Sequence, residues 1–199
     1  SSGATSYDVY FGTATNPSLS GNVATTTFNP GALLSSTTYY WKVVPKNASG
    51  SATGCTEWTF TTGNNVNMAT GSITKCSGNF YDSGGSAAAY LDNEDYTLTI
   101  CPVSPTDKVN VNFSAFSTEA GYDGLMIYNG NSTAAPLISS GAAAGSNATS
   151  CPAGAYSGST SPGSVTSTAS DGCLTFRFRS ESSGTSTGWT ATVSCVAPP

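Results

Sequence analysis

The chain contains no histidine. This removes the commonest general base of enzymes and the commonest nitrogen ligand of metal sites. A Ser/His/Asp triad is therefore impossible. Charge is also scarce. Charged residues make up 9% of 199 positions, with six Lys and Arg against eleven Asp and Glu, for a net charge of −5. No basic patch can form, so nucleic acid is not expected as a partner. No apolar run reaches membrane-spanning length, so no membrane insertion is expected. Long stretches with apolar residues at helical spacing are missing too. There is no initiator Met: the start "SSGATSYDVYFG" reads as that of a processed or excised piece of a longer secreted protein.

What remains is rich in Gly, Ser, Thr, Asn and Ala, with β-branched and aromatic residues in short runs. That is an all-β composition, long enough for one large or two small domains. The six cysteines are Cys55, Cys76, Cys101, Cys151, Cys173 and Cys195. None forms a CxxC pair, and zinc without His is improbable chemistry here. An even count in such a chain points to disulfides and an oxidising, extracellular compartment. The sequons at Asn47, Asn112, Asn131 and Asn147 carry little information in an Asn/Ser/Thr-rich sequence.

Residues 1–62 hold strand patterns separated by turns. "SYDVYFG" puts Tyr7, Val9 and Phe11 on one face, and "NVATTTFNPG" reads as a second strand region closed by a Pro-Gly turn. "TTYYWKVVPKN" puts Tyr39, Trp41 and Val43 on one face, with Leu33 six residues before Tyr39, and "CTEWTFTT" pairs Trp58 with Phe60. The stretch from Leu33 to Thr62 resembles the second half of a fibronectin type III domain, as in secreted bacterial surface proteins. "SYDVYFG" resembles the third strand of that family, so the first two strands are expected to lie upstream or to come from another chain by β-strand addition. Residues 63–71 read as a polar linker.

Residues 72–195 resemble a CUB domain. The motifs are "CSGNFYDSGG", "YTLTICP", "VNVNFSAFSTEAGYDGLMIYNG" and "GCLTFRFRSESSGTSTGWTATVSC". The resemblance implies a compact antiparallel β-sandwich. The residues agree with it: Val109, Val111 and Phe113 alternate, as do Leu125 with Ile127, and Leu174 with Phe176 and Phe178, so each set is expected on an inner face. Trp189 reads as a core anchor. The resemblance further implies a Cys76–Cys101 bridge. A hairpin centred near Gly184 would bring Cys173 opposite Cys195, leaving Cys151 with Cys55 or an upstream partner. Alternatively Cys151 pairs with Cys173, and Cys55 or Cys195 reaches a neighbouring segment. "APP" after Cys195 makes 196–199 the expected start of a further linker.

Three carboxylates carry the site reading. Glu119 and Asp123 stand four residues apart at the mouth of a strand. As a catalytic pair they would need a cleft, a raised pKa on one carboxyl and substrate-binding groups, and no motif supplies these. Many CUB domains bind Ca²⁺, and the resemblance carries two ligand positions onto Glu119 and Asp123. The third falls on Glu181, where the family has Asp. Ca²⁺ takes about six to eight oxygens and tolerates mixed donors, so the longer side chain shifts or weakens such a site. The plain alternative is a solvated loop in which Asp123 caps a turn. The cluster Asp92–Asp95 reads as an exposed loop, and Asp82 in "YDSGG" as a turn residue bonding backbone N–H groups.

The resulting expectation is two β-sandwich domains and no enzyme. They would form an extracellular binding or structural module of a bacterial surface adhesin or filament, partnered by other copies or neighbouring modules. Two further readings are accessory domains of a larger secreted protease or glycosidase, and a carbohydrate-binding module. The latter needs a row of exposed aromatics, for which only Tyr90 and Tyr156 offer themselves.

Overall fold

A computed structural model describes residues 3–31, 33–34 and 37–197. The described residues are all-β, and the chain divides into two compact units, Ser1–Asn64 and Asn65–Pro199. Pro198 and Pro199, part of the expected closing linker, lie outside the described residues, as do Ser35 and Ser36 of the fibronectin-like stretch.

The first unit is one antiparallel sheet built from β1 (Ser6–Gly12), β2 (Leu19–Val23), β3 (Thr38–Asn47), β4 (Gly50–Ser51) and β5 (Trp58–Thr61). Its order is β2-β1-β3-β4, with β5 also pairing β3. Only Asn22 and Val23 of "NVATTTFNPG" are in a strand; Phe28 instead packs against Gly21. The registers Phe11↔Trp41, Val9↔Val43, Tyr39↔Phe60 and Trp41↔Trp58 put the expected aromatic and aliphatic sets on one common face. Phe11 and Phe60 flank Tyr39 at ring distances of 5.0 and 5.7 Å, and Trp41 stacks on Trp58 at 6.5 Å. The Tyr39 hydroxyl accepts the Leu34 N–H at 2.9 Å, tying the incoming loop to this face. Among the described residues only Val9 and Tyr39 are buried hydrophobics of the unit, and Trp58 remains 59% exposed. A groove of about 460 Å³ lies over the face, lined by Val9, Phe11, Phe28, Trp41, Val43 and Phe60 among others.

The second unit is a two-sheet sandwich. Its strands are β6 (Asn65–Asn67), β7 (Gly71–Thr74), β8 (Ser77–Tyr81), β9 (Asp95–Cys101), β10 (Lys108–Ser117), β11 (Gly124–Asn129), β12 (Leu137–Ile138), β13 (Ser164–Thr166), β14 (Leu174–Arg179) and β15 (Gly188–Val196). One sheet runs β13-β10-β15-β8-β6, the other β12-β11-β14-β9-β7. The pairs β6/β8 and β7/β9 are parallel and the rest antiparallel. The alternating residues meet between the sheets. Val109, Val111, Leu125, Ile127, Leu174, Phe176 and Phe178 are all 0% exposed, and Trp189 at 2% touches Phe80 and Phe178 edge-on. Trp189 is the expected core anchor; its indole N–H has no partner among the described residues.

Several expectations change here. Residues 65–67 do not link but pair with β8, and Val66 and Met68 enter the core at 6% and 2% exposure. Val66, the one apolar residue of this short strand, and Met68 just after it face inward. The β14–β15 hairpin does not exist, because those strands belong to different sheets, so Cys173 is not opposite Cys195. The Cys76–Cys101 bridge is replaced by Cys76–Cys195 and Cys101–Cys173. The register explains both: Ser77 pairs Ser194 and Ile100 pairs Leu174, so each disulfide closes neighbouring strands of one sheet just beyond their last partners. Cys151 pairs with neither expected partner. It is buried and free against Met126 and Ala155, and Cys55 is free as well.

Candidate functional site

The acidic stretch lies where β10 hands over to β11. Thr118 is buried at 3% exposure, and its hydroxyl donates to the Asp123 carbonyl at 3.1 Å. The N–H groups of Tyr122 and Asp123 both donate back to the Glu119 carbonyl, at 3.3 and 3.1 Å. These bonds wind 119–123 into one tight turn and direct Asp123 inward, where it is 0% exposed. Its Oδ2 accepts the Tyr90 hydroxyl at 2.7 Å, and its Oδ1 accepts the Glu181 N–H at 2.9 Å. The Tyr90 oxygen in turn accepts the Glu119 N–H at 3.0 Å. Tyr90 therefore joins two of the expected residues, and the Glu181 backbone joins the third.

The side chains converge less than the backbone does. The Glu181 carboxylate turns to Asn147, whose Nδ2 donates to Oε2 at 2.8 Å. Glu119 Oε2 has no partner among the described residues, and Gly184 packs against this carboxylate at φ +84°, where a Cβ would collide with it. Among the described residues no three carboxylates converge on a single metal position. Glu119 and Asp123 thus sit together, and Glu181 reaches Asp123 through its main chain only.

The electrostatics are one-sided. Burial pushes the Asp123 carboxyl above its ordinary range, the acids Glu181 and Asp92 push it further, and the bonds from Tyr90 and the Glu181 N–H oppose them. Glu119 is raised by burial first, then by Asp123, Glu181 and Asp92. Burial and the Asp123 hydrogen bond together hold the Tyr90 phenol far above its usual range. Every charged neighbour acting on these two carboxyls is an acid. As a catalytic pair they fail on geometry, because Asp123 is sealed in and both its oxygens hold structural donors.

Sequence reasoning placed Tyr90 and Tyr156 as exposed aromatics; they are 1% and 7% exposed. It also missed Asn147 and Asp92 as neighbours of the site. The usable signal was Tyr90 itself, an aromatic directly ahead of "LDNED". The cluster Asp92–Asp95 is not a uniformly exposed loop either, since Glu94 is only 7% exposed and Asp95 begins β9.

No protein-family model and no curated protein matches the chain. Solved structures do resemble it. The full extracellular region of zebrafish Gpr126/Adgrg6 matches with a TM-score of 0.49 and 18% identity, over 66% of this chain and 15% of that one. The CUB1-EGF-CUB2 region of human MASP-1/3 matches with a TM-score of 0.48 and 17% identity, over 66% and 43%. The MASP-1 CUB2 domain bound to Ca²⁺ matches with a TM-score of 0.44 and 18% identity, over 63% and 98%. These values describe a likeness of chain path and say nothing of ligand or activity. No helix of the described residues is long and apolar enough to cross a membrane.

Proposed function

We propose that the chain is a non-catalytic extracellular binding module, whose second unit presents a loop end braced by Ca²⁺. The observation that carries the reading is a sealed Asp123 beside Glu119 Oε2, a buried oxygen with no partner, with only acids acting on both. Buried carboxylates are ordinarily paired with a cation or neutralised. An all-oxygen donor set without His suits a hard cation. Glu119 and Asp123 are the ligands, with Glu181 joining when its carboxylate leaves Asn147. The ion supplies positive charge that ties the 118–123 turn to the 180–184 loop. Tyr90 keeps Asp123 oriented by donating to one of its oxygens. Two disulfides support an oxidising compartment.

The partner class is a neighbouring protein segment, from another copy or an adjoining module in a surface adhesin or filament, added against the apolar face of the first unit. The groove is lined mainly by Val, Phe, Trp and Pro side chains, and its hydroxyls are those of Tyr7, Thr25, Thr26 and Thr27 alone, with no charged or amide group among the lining side chains. This favours an apolar polypeptide over a glycan.

Calorimetry tests the ion. Ca²⁺ binds wild type with measurable heat and raises its melting temperature, while Asp123→Asn binds one ion fewer and gains less in melting temperature. Equal responses from the two proteins end the reading. A stable, non-aggregating monomer of residues 1–199 would likewise end the reading of a neighbouring segment on that face.

A further inference from the structure

A second pair of acids lies in the same unit, outside the turn described above. Asp82 follows β8 and is 1% exposed. Its Oδ1 accepts the Gly84 N–H at 2.8 Å and its Oδ2 the Trp189 N–H at 3.1 Å. Gly188, at φ +71°, packs so closely on this carboxylate that any side chain there would collide with it. Glu94 closes the loop that Asp82 opens and is 7% exposed. Its Oε1 accepts the Ser83 hydroxyl at 2.5 Å and the Leu91 N–H at 3.0 Å. Its main chain is fastened on both sides to Ser180: its N–H donates to Ser180 Oγ at 2.8 Å, and its carbonyl accepts the Ser180 N–H at 3.0 Å. Glu94 Oε2 is buried and has no partner among the described residues.

These four side-chain bonds all run toward the carboxylates. Carboxyl oxygens that accept such bonds recover part of the cost of burial. Glu94 Oε2 alone among the four carboxyl oxygens is buried with no partner among the described residues. Burial pushes the Asp82 carboxyl above its ordinary range, the Gly84 and Trp189 N–H bonds oppose this, and the one charged neighbour acting on it is Glu94, another acid. Two buried acids with no basic neighbour acting on Asp82 and one oxygen left without a donor are stabilised by a bound cation.

We infer that Asp82 and Glu94 hold a divalent hard cation, Ca²⁺, at a second site in the loop between β8 and β9. Glu94 Oε2 and an Asp82 oxygen are the charged ligands, and neutral oxygens complete the shell. The charges balance at two carboxylates to one divalent ion. The chemistry excludes thiophilic metals, since the pair offers oxygen only and the free Cys151 packs against Met126 and Ala155 instead. The site closes the 82–94 loop onto the start of β15 through the Asp82–Trp189 bond, and so fastens the β8–β9 connection to the strand beside β8 in the same sheet.

The experiment uses the whole chain, stripped of metal by a chelator and titrated with Ca²⁺ by calorimetry. Glu94→Gln, which retains an oxygen for Ser83 and Leu91, binds one Ca²⁺ fewer than wild type or binds it about tenfold or more weakly. Asp123→Asn keeps the ion that Glu94→Gln loses, so failure at one site is distinguishable from failure at the other. In wild type, the Gly84 and Trp189 amide resonances shift on adding Ca²⁺, because both donate to Asp82; this readout holds even if a variant does not fold. Unchanged Ca²⁺ stoichiometry and affinity in folded Glu94→Gln, or amide resonances unmoved at saturating Ca²⁺, overturns the inference.

Discussion

At the scale of single residues, Tyr90 does most to organise the acidic turn. Its hydroxyl donates to Asp123 and accepts from Glu119, so Tyr90→Phe strands a buried carboxylate oxygen and a backbone N–H together. The expected cost is about 1–3 kcal/mol, read as a lower urea midpoint with unchanged m-value. Asp95 behaves differently. Arg177 reaches it with two bonds of 2.9 Å and Arg179 with one contact of 3.4 Å, which holds its carboxyl below the ordinary 3.8. A lowered folded value means stability that is fully present above the ordinary value and is lost as pH falls through the lowered one. Asp95 is 44% exposed, so Asp95→Asn costs at most about 1 kcal/mol near neutrality. That difference vanishes in acid, and denaturation curves at neutral pH and below pH 3.8 measure it.

At the scale of elements, register decides the covalent staples. β8 lies beside β15 and β9 beside β14, so the bridges are Cys76–Cys195 and Cys101–Cys173. They span 119 and 72 residues, and closing loops of that length disfavours the unfolded chain by roughly 4–5 kcal/mol each. Non-reducing peptide mapping therefore finds these two linkages, and a Cys76–Cys101 peptide would contradict the register. Replacing Cys101 and Cys173 together by Ser lowers stability by roughly 4 kcal/mol in urea titrations. The strand faces themselves were legible beforehand. Period-two alternation in "VNVNF", "LMIY" and "LTFRF" marks one inner face each, and those residues meet in the core. That β14 and β15 lie in different sheets and form no hairpin was not legible, because alternation assigns a strand a face and leaves its sheet undetermined.

At the scale of the whole molecule, the two units differ in how they bury their apolar faces. The second encloses a core between two sheets. The first has one sheet, and Trp58 and Phe60 on its apolar face are 59% and 39% exposed. An uncovered face of this kind associates. Sedimentation of the intact chain at micromolar concentration should show species larger than one chain, and Trp58→Asp should shift them toward the monomer.

The sequence by itself determined the all-β class, the faces of the longer strands, Trp189 as a core residue and the pairing of Glu119 with Asp123 in one turn. These follow from local spacing and side-chain chemistry. Only the tertiary structure decided which strands are neighbours, and with that the disulfide partners and the entry of Val66 and Met68 into the core. It also decided the burial of Tyr90 and Glu94 and the turn of the Glu181 carboxylate toward Asn147. Each of these depends on contacts between residues far apart in the chain, such as Asp82 with Trp189 or Glu94 with Ser180, and no local pattern encodes such a distance.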